Sequence, residues 1–139
     1  MVLIDFVTDV YRQINILAEF ETPTAEQGSV AVTRLNDLMA SLAEDGINLG
    51  YNPKTDTSDT IDLPLGHIMG IKAMLGVLLA QDNAVPIPQL MAALSDAAYT
   101  RLLKQSLYAS MQPSTMRHIA RGDAQYVFNR GYIISGESP

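Results

Sequence analysis

The chain has 139 residues and a formal net charge of -6, and hydrophobic residues make up 47% of it against 17% that are charged. This length fits one ordinary domain, and the high apolar content disfavours intrinsic disorder. The absence of cysteine excludes disulfide scaffolds, thiolate metal sites and cysteine nucleophiles. The acidic balance argues against a surface that grips nucleic-acid phosphates, since such a surface needs clustered cations. The longest apolar stretch, residues 68–80, is too short for a bilayer span of about 20 residues, so no membrane association is expected.

Two amphipathic helices are predicted in the first third of the chain. The first covers residues 3–17, where apolar side chains recur at three- and four-residue intervals. Its apolar face comprises Leu3, Phe6, Val7, Val10, Ile14 and Leu17. The second begins at Thr24, which has the spacing of a capping box with Gln27, and is expected to end at Gly46 in the left-handed conformation. Its apolar face comprises Val32, Leu35, Met39 and Leu42.

A long polar loop is predicted over residues 47–63, where Asn, Pro, Thr, Asp and Ser interrupt the apolar periodicity. Ile47 and Leu49 alternate with polar neighbours, as do Ile61 and Leu63, so the two ends of the loop are expected to pair as short strands. A compact domain rarely keeps so long an irregular connection without a use for it. The loop is therefore predicted to be a contact surface, and a solvated loop without a partner is the alternative.

Two further helices are predicted after the loop. Pro64 suits the first turn of the third helix, whose core face carries Ile68, Ile71, Leu75 and Leu78. Glycines cost this helix about 1 kcal/mol each relative to alanine, and close helix–helix approach is the usual reason for them. These glycines are Gly66, Gly70 and Gly76. The fourth helix opens at Pro88, and its core face carries Leu90, Leu94, Ala97, Ala98 and Leu102.

The composition changes near residue 111, which predicts two parts of the chain. Residues 1–110 hold six basic and thirteen acidic side chains, whereas residues 111–139 hold three arginines, two acidic residues and strand-prone apolar clusters. The predicted fold class is all-α: an antiparallel helical bundle of about four helices over residues 1–110, with a long polar loop, and an extended C-terminal arm over residues 111–139. The predicted bundle core comprises Leu35, Met39, Leu42, Ile71, Leu75, Leu78, Leu94 and Leu102.

Residue patterns for catalysis or metal binding are weak throughout the sequence. His67 and His118 lie in different segments, and neither has a second ligand at helical spacing, so both are interpreted as structural or surface residues. Residues 56–62 are rich in oxygen ligands but lack the glycine and the bidentate glutamate of a calcium loop. Carboxylate pairs near the helix ends are interpreted as capping or solvated groups. The sequence therefore predicts no catalytic residue, no metal and no cofactor, and an enzyme is disfavoured.

Several short segments follow one another in a fixed order. The most specific part is the Leu-Asn-Asp-Leu-Met stretch at residues 35–39, followed by Asp-Gly-Ile at residues 45–47. Asp-Leu-Pro at residues 62–64 and Val-Pro at residues 85–86 each precede an alanine-rich predicted helix. This order resembles the tail accessory factor family of tailed bacteriophages. The resemblance covers about residues 1–110 and implies a structural signature of Leu35, Asn36, Asp37, Met39, Gly46, Leu63 and Pro64. One departure is Leu42, where the family commonly has a tryptophan. Asn36 is expected to bond a neighbouring backbone or loop group.

Members of this family are head-completion or head-to-tail adaptor proteins. The resemblance implies a virion protein of the head–tail junction, made in the host cytoplasm, that forms a homo-oligomeric ring, a dodecamer, under the portal protein. Such a ring extends the DNA channel and offers a platform for downstream tail or nozzle proteins. Packaged DNA passes such a channel without sequence-specific binding, and an acidic ring suits this because carboxylates repel phosphates.

Two contact regions follow from this implied assembly. The polar loop is expected to contact a neighbouring subunit or a tail component through Tyr51, Lys54, Asp56 and Asp59. The C-terminal arm is expected to bind the portal protein, since aromatic and arginine side chains commonly anchor interfaces. Its expected contact residues are Arg117, Arg121, Tyr126, Phe128, Arg130, Tyr132, Ile133 and Ile134. The alternative function is a small cytoplasmic helical protein-interaction or assembly-chaperone domain.

Overall fold

The computed structural model describes the backbone of residues 1–118 and the side chains of residues 1–111. Its elements are α1 (Leu3–Gln13), α2 (Ala25–Glu44), the 3-10 turn η1 (Leu65–His67), α3 (Ile68–Asp82) and α4 (Gln89–His118). The described residues form four α-helices and no strand, so the predicted all-α bundle is confirmed. The chain separates into two units at residues 103 and 104, and the first unit, Met1–Leu103, holds the hydrophobic core.

Helix α1 buries the apolar face that its periodicity predicts, including Leu3 and Phe6. The helix ends at Gln13, four residues earlier than predicted, because Asn15 turns the chain with a φ of 62°. Leu17 therefore follows the helix and packs half-buried against the core.

Both ends of α2 are as predicted. At its start, the Thr24 hydroxyl accepts the Gln27 N–H at 3.1 Å while the Gln27 side chain accepts the Thr24 N–H at 2.9 Å, which completes a capping box. At its end, Gly46 adopts a φ of 87° and the Ile47 N–H returns to the Leu42 carbonyl at 2.9 Å. Local residue chemistry therefore determines the length of this helix.

Helix α3 is the central element, because both α1 and α2 pack against it. It buries residues on almost every side, and a helix covered in this way does not need a single apolar stripe. The predicted core residues Ile71 and Leu75 are fully buried, whereas Leu78 is only half-buried and Leu79 is fully buried instead. Pro64 caps the turn η1, so α3 begins at Ile68, later than predicted.

Helix α4 runs antiparallel to α3 and approaches it closely at two glycines. A Cβ on Gly70 would lie 2.5 Å from the Cβ of Ala98, and one on Gly76 would lie 2.5 Å from the sulfur of Met91. The expectation of close helix approach is confirmed at both positions. It does not hold for Gly66, which lies in η1 and where a Cβ would meet nothing closer than the Arg101 guanidinium at 3.8 Å.

The predicted core face of α4 is partly wrong. Leu94 is 38% exposed and Leu90 is 72% exposed, although Leu102 is buried as predicted. Met91 enters the core instead, because the absent side chain of Gly76 leaves room for its thioether. This rotation of the helix brings Ala98 rather than Leu94 against α3.

Helix α4 also continues beyond the predicted boundary between body and arm. It includes Pro113 and ends at His118, so Arg117 lies in its last turn rather than in an extended arm. Residues 104–112 contain no glycine or proline and favour helix, which explains the extension. The division into body and arm at residue 110 stays a prediction, and residues 119–139 lie outside the described part of the chain.

The two ends of the polar loop do not pair with each other, so the predicted strand pair is wrong. Thr60 instead forms an isolated antiparallel bridge with Val2, and the Ile61 N–H donates to the Met1 carbonyl at 3.0 Å. The alternation of apolar residues at the end of the loop reflects burial rather than strand pairing, since Ile61 and Leu63 are each buried in the core.

Candidate interaction site on helix α2 and the polar loop

Asn36 on α2 joins the polar loop to the helical body. Its amide nitrogen donates to the Lys54 carbonyl at 2.8 Å, and its oxygen accepts the Lys54 N–H at 2.9 Å. The same oxygen accepts the Tyr51 hydroxyl at 2.6 Å. Asn36 therefore bonds loop groups, as expected, and its three hydrogen bonds attach the middle of the loop to α2.

Lys54 and Tyr51 extend this network toward the end of the loop. The Lys54 ammonium lies 3.0 Å from a carboxylate oxygen of Asp62 and 5.5 Å from the centre of the Tyr51 ring. Burial, followed by the nearby charge of Asp62, raises the pKa of Tyr51 to about 12. Burial by itself raises the pKa of Asp62, but hydrogen bonds from Lys54 and Asn52 outweigh it and leave that pKa lowered. At neutral pH the cluster therefore combines a neutral phenol with an ion pair.

Asp59 organises the tip of the loop. Its carboxylate accepts the N–H groups of Thr55 at 3.0 Å and Asp56 at 3.1 Å, and these bonds lower the pKa of Asp59. The Asp56 carboxylate in turn accepts the Ser58 N–H at 3.2 Å. The acidic residues that could suggest a calcium loop therefore close a turn by accepting backbone hydrogen bonds.

The loop also caps the first helix. The Leu3 N–H donates to the Asp59 carbonyl at 2.8 Å and the Ile4 N–H donates to the Thr57 carbonyl at 2.9 Å. First-turn N–H groups have no partner within their own helix, so the loop satisfies two of them. Thr57 also packs on α2, where a Cβ on Gly28 would lie 2.8 Å from its methyl group. The loop is thus part of the structural body.

The predicted loop contact residues differ in how much of each faces solvent. Tyr51 is half-buried and the Lys54 side chain is 10% exposed, because both serve the network around Asn36. Asp59 is half-buried, and only Asp56 is classed as exposed. A contact role for these four residues stays a prediction, and Asp56 offers the most accessible side chain.

The signature residues of the resemblance have different environments. Leu35, Met39 and Leu63 are buried in the core, and Gly46 closes α2. Asp37 and Pro64 are exposed, and Asp37 lies 3.8 Å from Arg34 on the same helix. The stretch at residues 35–39 thus combines core positions with the single amide, Asn36, that holds the loop.

Two ion pairs connect helices α1 and α2 to α3. Arg34 on α2 makes a bidentate contact with Asp82 at 2.6 and 2.8 Å, and Lys72 on α3 lies 2.8 Å from Asp9 on α1. Exposed pairs of this kind contribute about 0–1 kcal/mol each. They orient the helices while apolar burial supplies most of the stability.

A groove between α2 and α4 is a feature that the sequence did not indicate. It has a volume of about 430 Å³ above α3, and its half-buried apolar floor includes Leu38, Val77 and Leu78. Its rim carries the carboxylates Asp45 and Asp96. The Tyr99 hydroxyl donates to Asp45 at 3.0 Å across the groove, and this hydrogen bond raises the pKa of Tyr99.

The two histidines and the carboxylates form no metal site among the described residues. The described part of the chain contains no group of three or more His, Asp or Glu side chains placed to hold a metal ion. His67 is half-buried at the start of α3, and the side chain of His118 lies outside the described ones. No helix among the described residues combines the length and apolar character needed to cross a membrane.

The predicted portal-binding residues lie at or beyond the end of the described part of the chain. Arg117 belongs to α4 by its backbone, and the other residues of this set lie outside the described residues: Arg121, Tyr126, Phe128, Arg130, Tyr132, Ile133 and Ile134.

Comparison with known proteins adds no assignment to this geometry. None of the models of known protein families matches the chain, and no curated protein is significantly similar to it in sequence.

Proposed function

We propose that this chain is a head-to-tail connector adaptor of a tailed bacteriophage. The observation that supports this most is that the segments carrying the resemblance form one unit. Asn36 holds Lys54, Lys54 pairs with Asp62, and Gly46 ends the helix from which the loop departs. The resemblance therefore concerns residues that depend on one another in space, rather than scattered matches.

In this proposal the chain is a structural virion protein without enzymatic activity. Copies assemble into a ring, a dodecamer, below the portal protein, and the ring extends the DNA channel and offers a platform for tail or nozzle proteins. The acidic balance of residues 1–110 supports passage of DNA, since carboxylates along a channel repel phosphates. The residues from Arg117 onward would attach the ring to the portal, and Asp56 would face a neighbour or a tail component.

Exposed apolar side chains favour a protein that binds partners. Leu65 and Met69 near the start of α3 and Leu90 on α4 are all largely exposed. An interface would bury such residues. This observation supports a ring subunit and equally supports the alternative, a small cytoplasmic interaction or assembly-chaperone domain.

The test is co-purification with the portal protein of the same phage, followed by electron microscopy of the complex. We expect a ring on the tail-facing end of the portal, and loss of attachment when Tyr132, Ile133 and Ile134 are replaced together by alanine. Leu107→Ala, which removes another exposed apolar side chain, is the matched control and should leave attachment intact.

The two candidate functions give different results in this test. A chain that stays separate from the portal and instead holds an unassembled virion protein in the host cytoplasm would support the chaperone alternative and overturn the adaptor. A ring that attaches with the triple alanine variant would move the docking surface from the arm to the helical body.

A further inference from the structure

The groove between α2 and α4 is open, apolar at its floor and acidic at its rim. Leu38 on α2 and Val77 and Leu78 on α3 are half-buried there, so each leaves apolar surface uncovered. Asp45 and Asp96 provide two carboxylates at the rim, and none of the described residues that line the groove is basic. An occupant of this groove should therefore combine apolar side chains with positive charge.

Residues 121–130 of this chain have that composition. Residues 121–130 begin and end with arginine and carry Tyr126, Val127 and Phe128 between them, with Asp123 as their only acidic residue. The spacing places a cationic side chain on each side of an apolar cluster.

The most exposed aromatic side chain in the first unit, Phe20, does not match. Phe20 is 91% exposed in the connection between α1 and α2, but it stands between Glu19 and Glu21. The carboxylates of Glu19 and Glu21 would be repelled by the acidic rim of the groove. The negative charge of the groove rim therefore favours residues 121–130 as the occupant over the connection that contains Phe20.

We propose that residues 121–130 of one copy of the chain bind the α2–α4 groove of a second copy. Each copy then offers one segment and one groove, which is a head-to-tail contact of the kind that closes into rings. This contact would join neighbouring subunits of the proposed ring. It rests on the proposed function in one respect, namely that copies of the chain associate with one another.

The contact combines two energetic contributions. Tyr126 and Phe128 bury aromatic surface against Leu38, Val77 and Leu78, and aromatic anchors of this type dominate interface affinity. Arg121 and Arg130 meet the rim carboxylates, which favours the correct direction of the segment and makes binding sensitive to salt. Residues 121–130 then contact a neighbouring copy rather than the portal, and Arg117 and the distal cluster at residues 132–134 stay available for the portal.

Sedimentation of the full chain from micromolar to millimolar concentration tests the proposal. We expect self-association that weakens with added salt, and Asp96→Lys should weaken it about tenfold or more, which corresponds to about 1.4 kcal/mol. Asp96 is exposed, and its backbone carbonyl rather than its carboxylate accepts the Thr100 hydroxyl, so the fold should persist. Glu19→Lys, an equal change of charge away from the groove, is the control and should have little effect.

A charge exchange and a cross-link make the test specific. Arg130→Asp should weaken self-association like Asp96→Lys, and the two changes in one chain should restore it. A photoreactive amino acid at Phe128, in a mixture of isotopically light and heavy chains, should cross-link light to heavy at Leu38, Leu78 or Tyr99. Cross-links within one chain only, a chain that stays monomeric at millimolar concentration, or equal effects of Asp96→Lys and Glu19→Lys would overturn the proposal.

Failure of the groove contact can be distinguished from failure of the proposed adaptor function. Self-association through the groove in a chain that does not bind the portal would overturn the adaptor and leave the groove contact standing. A portal-bound ring that forms unchanged with Asp96→Lys would overturn the groove contact alone.

Discussion

Helix α3 and the polar loop are stabilised in opposite ways. The helix buries Ile71, Leu75 and Leu79 completely and uses small residues where α4 approaches. The loop has few buried apolar side chains and depends on Asn36, whose amide makes three hydrogen bonds to loop groups. Apolar packing tolerates exchanges of similar volume, whereas a hydrogen-bond network depends on single atoms. The core should therefore respond to side-chain size and the loop to side-chain chemistry.

The largest effect is expected in the core. Leu75 is fully buried in α3, so Leu75→Ala should reduce the free energy of unfolding by about 2–5 kcal/mol through lost burial and a cavity. Leu78→Ala is the matched control on the same helix, and it should cost less than half as much because Leu78 is only half-buried. Denaturant unfolding measures both. A loss below about 0.5 kcal/mol for Leu75→Ala would contradict its core position.

Asn36→Ala tests the loop network. It removes the acceptor of the Lys54 N–H and of the Tyr51 hydroxyl, and leaving such groups unsatisfied costs about 1–3 kcal/mol. We expect a lower free energy of unfolding and faster hydrogen exchange at the Lys54 amide, with assembly intact in the folded protein. Asn48→Ala, which removes an exposed amide that accepts only the Gly50 N–H, is the control. Lost assembly at unchanged stability would instead make Asn36 a contact residue.

Gly70→Ala tests the close approach of α3 and α4. The new methyl group would meet the Ala98 Cβ at 2.5 Å, and overpacking costs about 1–3 kcal/mol, of which helix propensity returns about 1 kcal/mol. We expect a net loss of stability by thermal unfolding. The double variant Gly70→Ala with Ala98→Gly should recover part of it. Gly76→Ala should be milder, because the flexible side chain of Met91 can move.

The smallest effect is a pH dependence in the loop. The pKa of Tyr51 is raised to about 12 against an ordinary value of about 10, so its neutral form is favoured in the folded protein. Its contribution to stability is complete below pH 10 and is lost as the pH rises toward 12. The pKa values of Tyr11 and Tyr99 are raised as well, so tyrosinate absorbance should show a late-titrating component that Tyr51→Phe reduces by one tyrosine. Ionisation of Tyr51 near pH 10 in the folded protein would show that the phenol is solvated.

Local residue chemistry determined much of the helical framework. The Thr24 capping box and the Gly46 termination involve groups within a few residues of each other, so the sequence alone predicts both ends of α2. The periodicity of the first segment likewise predicts the buried face of α1. Asn36 was recognisable as a helix amide with a structural role, because such a side chain bonds nearby groups.

Only the tertiary structure decided which of several apolar faces is used and which polar atoms meet. The rotation of α4 depends on the space that Gly76 leaves for Met91, and nothing within α4 encodes that space. The partners of Asn36 lie 15 and 18 residues away, and the loop end pairs with Val2 at the start of the chain. Residue patterns specify local hydrogen bonds and periodicity, whereas volumes and long-range donors are matched only when distant segments pack together.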